Sequence, residues 1–463
     1  SCLDQNERIK SMLLNSNSII VSYSCQQFQC EGMTITENEE TETGVITWHR
    51  STLCTDTVRC PYCGGKVDVS ERASTMLLDM PIWLGLRQEA HVEYHRYKCR
   101  ECRKKFSEEI GIKHPSARIT TRLAVWIEAF LRLKMSIKAV QELTGVHWNT
   151  IKKLHMEMME EKLEQRKREL KKSGYKPKHL AVDEFAIHKG HTYATCVIDL
   201  DEGDILWVGH GRGMDDFEKF FNEMDMEYLS DVEAVAMDMN ASYNNLVEKH
   251  MPYAEIVYDR YHMQAQFGKD VLGVVRLNEA RQHKKRADEI TAAAANEQDA
   301  ERKKAMKLDA NNERTSYRVL KKARWSLLMN SSNLSEKKAN SLDQILSAHC
   351  DLALCYAMKE EMCDLFELRD PEEAQNRWTA WFEAGKTSGI EPLVKFATLK
   401  EKRLKGLISH ARYPISTGKL EGLNNKIKVS KRIGYGYRDD LYFFTLIRYL
   451  SLPEVRLSSP KVP

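Results

Sequence analysis

Two cysteine pairs, Cys60-Pro-Tyr-Cys63 and Cys99-Arg-Glu-Cys102, constrain this chain more than any other feature. Two residues between cysteines let both sulfurs of a turn point at one ion. Two such turns supply the four thiolates, at about 2.3 Å, of a tetrahedral Zn²⁺ site. The pairs lie 35 residues apart, so the segment between them must bring the second turn back to the first. Gly64 and Gly65 give the first turn its freedom, and Lys98, Arg100, Arg103 and Lys104 surround the second with positive charge, which favours thiolates. Four thiolates leave no open coordination position, so such a zinc is structural. The competing reading is a pair of reduced, metal-free turns. Neighbouring His91, His95 and Cys54 read as bystanders. The chain has twelve cysteines, six of them before residue 64, too few for a disulfide scaffold in 463 residues.

At about 150 residues per domain the length suggests roughly three domains. Apolar residues are 42% and charged residues 30%, which excludes collagen-like and wholly disordered chains. Net charge is only +3, so any argument for a polyanionic partner depends on where the charges sit. No apolar run approaches the roughly 20 residues of a membrane span, and the polar start lacks a signal-peptide pattern, so the expectation is a soluble intracellular protein.

Residues 1–58 read as a β-rich segment, with strands at 19–23 and 44–48 around an acidic turn at 37–42. Residues 59–116 form the zinc-binding module. Residues 117–172 turn helical, with a stripe of Leu123, Trp126, Ile127, Phe130 and Leu131, and end in Ser173-Gly174-Tyr175-Lys176-Pro177. From residue 173 to 262 the order β-β-β-α-β-α-β implies a mixed sheet with helices on both faces. Residues 263–410 are helical and highly charged. Residues 411–463 begin with helix, turn and helix. The expected class is a multidomain α+β protein.

Ser136 to Leu154 fits a helix-turn-helix, with Val140, Val146, Ile151 and Leu154 buried and Gly145 in the tight turn. His147, Trp148, Asn149, Thr150, Lys152 and Lys153 open the second helix, the end that enters the major groove in such modules. Gln141 departs from the usual small residue, and the alternative is an ordinary helical hairpin.

Three acids stand out. Asp183 is expected to end the first strand of the mixed sheet, Asp238 to end the fourth, and Glu421 to open a late helix. Carboxylates brought to one sheet edge hold Mg²⁺, and two such ions stabilise both oxygens of an in-line phosphoryl displacement. Glu184 is expected on the opposite face, while Asp199 and Asp259 are competitors. Between residues 395 and 438 there are twelve Lys or Arg against two acids, Glu401 and Glu421, a local charge of 12 − 2 = +10. Lys426, Lys428, Lys431 and Arg432, with Tyr435 and Tyr437, read as a phosphate-tracking surface; the bland reading is a solvated helix face. Trp325, Trp378 and Trp381 in the helical stretch read as core rather than base-stacking platforms.

In order along the chain, CPYCG, CRECRKKF, TGVHWNTIK, VDEFAIHKGHTYAT, AMDMNASY, YDRYHM and EGLNNKIKVSKRIGYGYRD make this sequence resemble the ISL-three family of bacterial insertion-sequence DDE transposases. That resemblance implies an RNase H-like catalytic domain interrupted by the helical insertion, with Asp183, Asp238 and Glu421 matching the catalytic triad. Asp259 and His262 match a D-x-x-H element near the active site. It also implies two Mg²⁺ ions, with Mn²⁺ as a substitute, beside the structural Zn²⁺. The implied substrate is double-stranded DNA, both terminal inverted repeats and target, cut and joined by a homodimer or larger assembly in the bacterial cytoplasm, on the nucleoid. The rival functions are a transposase-derived DNA-binding regulator without catalysis and a nuclease without strand transfer.

Overall fold

The computed structural model describes residues 33–457 apart from 42–43, 53–56, 84–85, 189–191, 416–417 and 435, so the strand expected at 19–23 lies outside the described residues. The chain divides into two compact units: residues 1–169 with 427–450 and 454–463, and residues 170–426 with 451–453.

The first unit holds a sheet of β1 (Met33–Thr41), β2 (Gly44–Ser51), β3 (Val67–Trp83), β4 (Leu86–Cys99) and β5 (Lys105–Ser107), in the order β1-β2-β4-β3 with β5 on β4. The expected acidic turn is instead mostly strand. Alternation places Met33 and Ile35 against Leu77, Ala90 and Val92, and leaves Glu37 and Glu39 exposed on an edge where charge discourages further pairing. β2 pairs in parallel with β4, so strands on either side of residue 58 share one sheet. The β3–β4 hairpin sets Val67 opposite Cys99, which returns the second cysteine pair to the first.

Helices α1 (Thr121–Arg132), α2 (Ile137–Thr144) and α3 (Trp148–Ser173) follow. Thr120 and Ser136 cap the first two, accepting from Leu123 and Ala139 N–H. Gly145 ends α2 at φ 71°, a backbone conformation that strains residues with a Cβ. Leu123, Ile127, Leu131, Val140, Val146, Ile151 and Leu154 form one buried cluster. Trp126, expected in that stripe, is 46% exposed; the spacing of four from Leu123 to Ile127 to Leu131 takes the buried face past it.

The second unit carries β6 (His179–His188), β7 (Thr192–Asp199), β8 (Ile205–His210), β9 (Ala234–Met237) and β10 (Glu255–Tyr258) in the order β10-β9-β6-β7-β8. β7 runs antiparallel to β6 and β8, while β6, β9 and β10 are parallel. Helices α4 (Met214–Glu223) and α5 (Ala241–His250) press Phe217, Phe220, Tyr243 and Leu246 onto Val182, Val197 and Val235. β6 runs on past the expected end at 185, because Ala186 and His188 keep pairing with β7. Asp183 therefore sits within the strand.

From Arg260 the unit is helical: α6 (Arg260–Phe267), α7 (Gly273–Asn296), α8 (Ala300–Lys322), α9 (Arg324–Leu328), α10 (Glu336–Ala348), α11 (Cys350–Leu365), α12 (Pro371–Thr387), α13 (Glu391–Glu401) and α14 (Leu404–Arg412). Phe267, Trp378, Trp381, Phe382 and Phe396 anchor its core; Trp325 is 68% exposed. The chain closes with α15 (Gly418–Ile433), α16 (Asp440–Ser451) and α17 (Pro453–Leu457). Among the described residues no helix is long and apolar enough to cross a membrane.

Candidate active site

The parallel pairing of β6 with β9 sets His179 against Ala234, Leu180 against Val235 and Ala181 against Ala236. Asp183 and Asp238 are separated by the same offset of 55, two residues past the last pair, and the charges of both act on His262. β9 stops at Met237, so Asp238 stands free of the ladder with its side chain 56% exposed. The Met239 N–H donates to Asp238 Oδ1 at 2.6 Å, and the Glu184 N–H donates to Asp183 Oδ1 at 2.8 Å. Each acid is thus held by the backbone on one oxygen.

His262 stands next to this pair. Its Nδ1 lies 3.4 Å from Asp238 Oδ2 and its Nε2 lies 3.7 Å from Asp259 Oδ2. The Asp238 hydrogen bond, ahead of the charges of Asp259 and Asp183, lifts His262 to about 9 against the cost of burial. The same bond holds Asp238 below the usual carboxylate range, opposed by burial and helped by Lys400. Asp259 also caps α6, accepting from the Tyr261 N–H at 2.8 Å.

A cavity of about 360 Å³ opens here, lined by Glu184, Arg212, Asp238, Met239, Asn240, Gln266 and Lys400. Glu184 lines this cavity with Asp238 and bonds the Tyr243 hydroxyl, while Asp183 is not among the lining residues. Burial raises the Glu184 carboxyl, and Asp238 and Asp183 add to the shift, against the Tyr243 hydroxyl and Arg212. Lys400 donates to Gln266 Oε1 at 2.6 Å; burial pushes its ammonium below the ordinary lysine value, while Asp238 resists.

Asn424 on α15 donates from Nδ2 to Asp183 Oδ2 at 2.7 Å. Position 421 lies three residues earlier on the same helix, a spacing that puts two positions on one helical face. Asp199, the competing acid, serves the fold. It is fully buried and accepts from the Tyr175 hydroxyl at 2.8 Å and from the Asp201 N–H at 2.9 Å.

In the first unit the Sγ atoms of Cys60, Cys63, Cys99 and Cys102 all lie within 4.8 Å of one another. Cys60 and Cys102 are 3.6 Å apart and Cys63 and Cys99 are 3.4 Å apart, near the roughly 3.8 Å edge of a tetrahedron with 2.3 Å metal–sulfur bonds. Burial resists ionisation of Cys99, but backbone N–H groups of Cys102 and Glu101 and the Cys63 thiol bring it down to about 7. The group fits zinc. His95 and His91 face Glu108 and Glu89 instead; Cys54 lies outside the described residues.

A family model described as "Transposase", of the DDE ISL-three type, matches residues 180–447. The transposase for insertion sequence element IS1001 of Bordetella parapertussis is 33% identical over 84% of this chain and 87% of its own length. This chain belongs to the ISL-three family of DDE transposases. A more distant relative, the transposase for insertion sequence element IS1557 of Mycobacterium tuberculosis, is 25% identical over 67% of each chain.

In this DDE-family chain the positions marked for DNA contact differ in availability. His147, Trp148 and Asn149 are exposed at the start of α3 and Thr150 is half-buried. Lys153 bonds the Ser116 carbonyl at 3.0 Å, and Lys152 is paired with Asp439 at 2.5 Å. On α15, Lys428 and Arg432 are exposed, while Lys426 and Lys431 are half-buried. Tyr437, read as a phosphate tracker, is half-buried and stacked on Phe443 at 4.8 Å, its hydroxyl turned to the Ser430 carbonyl. Tyr435 lies outside the described residues. Sequence reading missed Arg212, Gln266, Lys400 and Asn424; the last two lie in the basic stretch and in the EGLNN string already singled out.

Proposed function

We propose that this protein is the transposase of an insertion sequence, binding the terminal inverted repeats of its element, cutting DNA at the ends and joining the freed 3′-hydroxyl to target DNA. The observation that carries the reading is the parallel pairing of β6 with β9, which leaves Asp183 and Asp238 each two residues past the last pair, joined by the Asn424 bond to Asp183 from the helix that also bears Glu421. An antiparallel hairpin followed by two parallel strands on the far side of β6 supports an RNase H-like domain, interrupted by the helices of 263–410. The relatives, both named for insertion sequence elements, point the same way.

Asp183, Asp238 and Glu421 offer hard oxygen donors, and the half-exposed Asp238 leaves room for water or phosphate oxygens, which suits a pair of Mg²⁺ ions or Mn²⁺ in their place. When bound, such ions supply Lewis-acid stabilisation of the attacking and leaving oxygens. The chain's own contribution is positioning: Asn424 and the Glu184 N–H fix both oxygens of Asp183, and the Met239 N–H fixes one of Asp238. Arg212 and Lys400 bring positive charge to a cavity that receives a phosphodiester. The zinc module, and α2 with α3 as a helix-turn-helix, hold the DNA through exposed His147, Trp148 and Asn149 and the basic surface of α15. Synapsis of two ends calls for a homodimer or larger assembly.

Strand-cleavage and strand-transfer assays on end-sequence DNA test this. Asp238→Asn should lose more than about 10³-fold in rate with end binding retained. Wild-type rates from that variant remove Asp238 from the site; nicks without joined products from the wild type indicate a nuclease, and binding without cleavage a regulator.

A further inference from the structure

Away from both sites, the helical part of the second unit holds Glu279, His283 and His349 with one ligand atom of each within 4.8 Å of the others. Glu279 and His283 are four apart on α7 and so share a face, while His349 is the residue between α10 and α11. His349 Nδ1 lies 3.4 Å from Glu279 Oε2, and the two imidazoles sit 5.2 Å apart, nearly perpendicular. Their side chains are only 12% and 10% exposed for His283 and His349.

The surroundings of the two His283 ring nitrogens are the second observation. Its Nδ1 faces Glu313 Oε2, on α8, at 2.7 Å. A neutral imidazole has one N–H and one lone pair, so a carboxylate at Nδ1 takes the N–H and leaves the lone pair on Nε2. That Nε2 is buried and meets no hydrogen-bond partner among the described residues. An ion pair between His349 and Glu279 leaves this lone pair unexplained, whereas a cation at the centre of the cluster satisfies it. A carboxylate behind a histidine, orienting the other nitrogen outward, is the usual support of a metal-binding imidazole. Metal–ligand bonds of 2.0–2.1 Å require ligand atoms about 3.4 Å apart in a tetrahedron, the separation already present between His349 and Glu279.

We propose that Glu279, His283 and His349 form a second zinc site, distinct from the four-cysteine group, with Glu313 as the orienting carboxylate and water as the fourth ligand. Two imidazoles and one carboxylate suit Zn²⁺ rather than the all-oxygen preference of Mg²⁺. Bound there, the ion ties the α7–α8 hairpin to the junction of α10 and α11.

The test uses the full chain carrying Asp238→Asn, so that the active-site acids add no zinc of their own. After equilibration with Zn²⁺ and gel filtration, metal content is measured by mass spectrometry. The expected result is two zinc ions per chain, falling to one when His283→Gln or His349→Gln is added, with Glu313→Gln weakening the second ion about 10- to 100-fold. Equal zinc content with and without His283→Gln overturns the proposal. Should His283→Gln fail to fold by circular dichroism, Glu279→Gln carries the same comparison. Co²⁺ added to the chain holding only its four-cysteine zinc, the second ion having been removed with a mild chelator, gives an independent readout: visible d–d absorption without thiolate charge transfer supports the site, and its absence overturns it.

Discussion

Acid should loosen the first unit through one buried histidine. His155 on α3 is 6% exposed, its Nδ1 2.6 Å from the Tyr442 hydroxyl and its ring set against the edges of Tyr442 and Tyr449. Burial brings its pKa from 6.5 to about 4. The unfolded chain takes up a proton as pH falls through 6.5, and the folded chain does so only near 4. The stabilisation is therefore complete above 6.5 and lost progressively on the way down to about 4. A separation of about 2.5 units at roughly 1.4 kcal/mol each caps the loss at about 3 kcal/mol, and about 2 kcal/mol of it is gone by pH 5. Hydrogen exchange of α3 amides, measured at pH 7 and pH 5 in wild type and His155→Phe, isolates this unit from His410, which burial also brings to about 4 in the other. Wild type should lose about 2 kcal/mol more protection than the variant after correction for intrinsic exchange rates. The same pH dependence in both proteins refutes the assignment.

Removing the Asn424 amide leaves one Asp183 oxygen unheld, so Asn424→Ala should slow end cleavage about 10- to 100-fold while gel-shift affinity for end DNA is unchanged. Cys60→Ser should abolish retention of the zinc ion held with Cys63, Cys99 and Cys102 and the near-ultraviolet dichroism of the β3–β4 end, with zinc content as the direct readout. Trp378→Ala should cost about 3–5 kcal/mol in urea unfolding, because the side chain is fully buried, whereas Trp325→Ala should stay within about 0.5 kcal/mol.

Much of the second unit's sheet was legible because short apolar runs bounded by turn residues mark strands, and Asp183 and Asp238 stand where those runs meet polar residues. The register of β6 on β9 was not legible, since it is settled by pairing and not by local pattern. Glu184 alternates with Asp183 along β6, and alternation alone does not announce that it shares a cavity with Asp238. The acidic segment at 37–42 read as a turn because charge outweighed the alternating Met33 and Ile35, which have their partners 40 to 60 residues away in Leu77, Ala90 and Val92. Trp378 and Trp381 went to the core as large apolar residues in helices do, while Lys152 and Tyr437 found partners inside their own unit that no local pattern announces.

The bond from Asn424 to Asp183 closes a loop of 241 residues. At synthesis rates of about 5–20 residues per second, roughly 10 to 50 seconds separate the emergence of the first carboxylate from that of its support. A nascent chain that stalls within residues 263–410 has Asp183 and Asp238 but lacks the helix that holds the Asp183 Oδ2. A product cut short before Asn424 keeps the β6 carboxylate but leaves that oxygen without its amide donor.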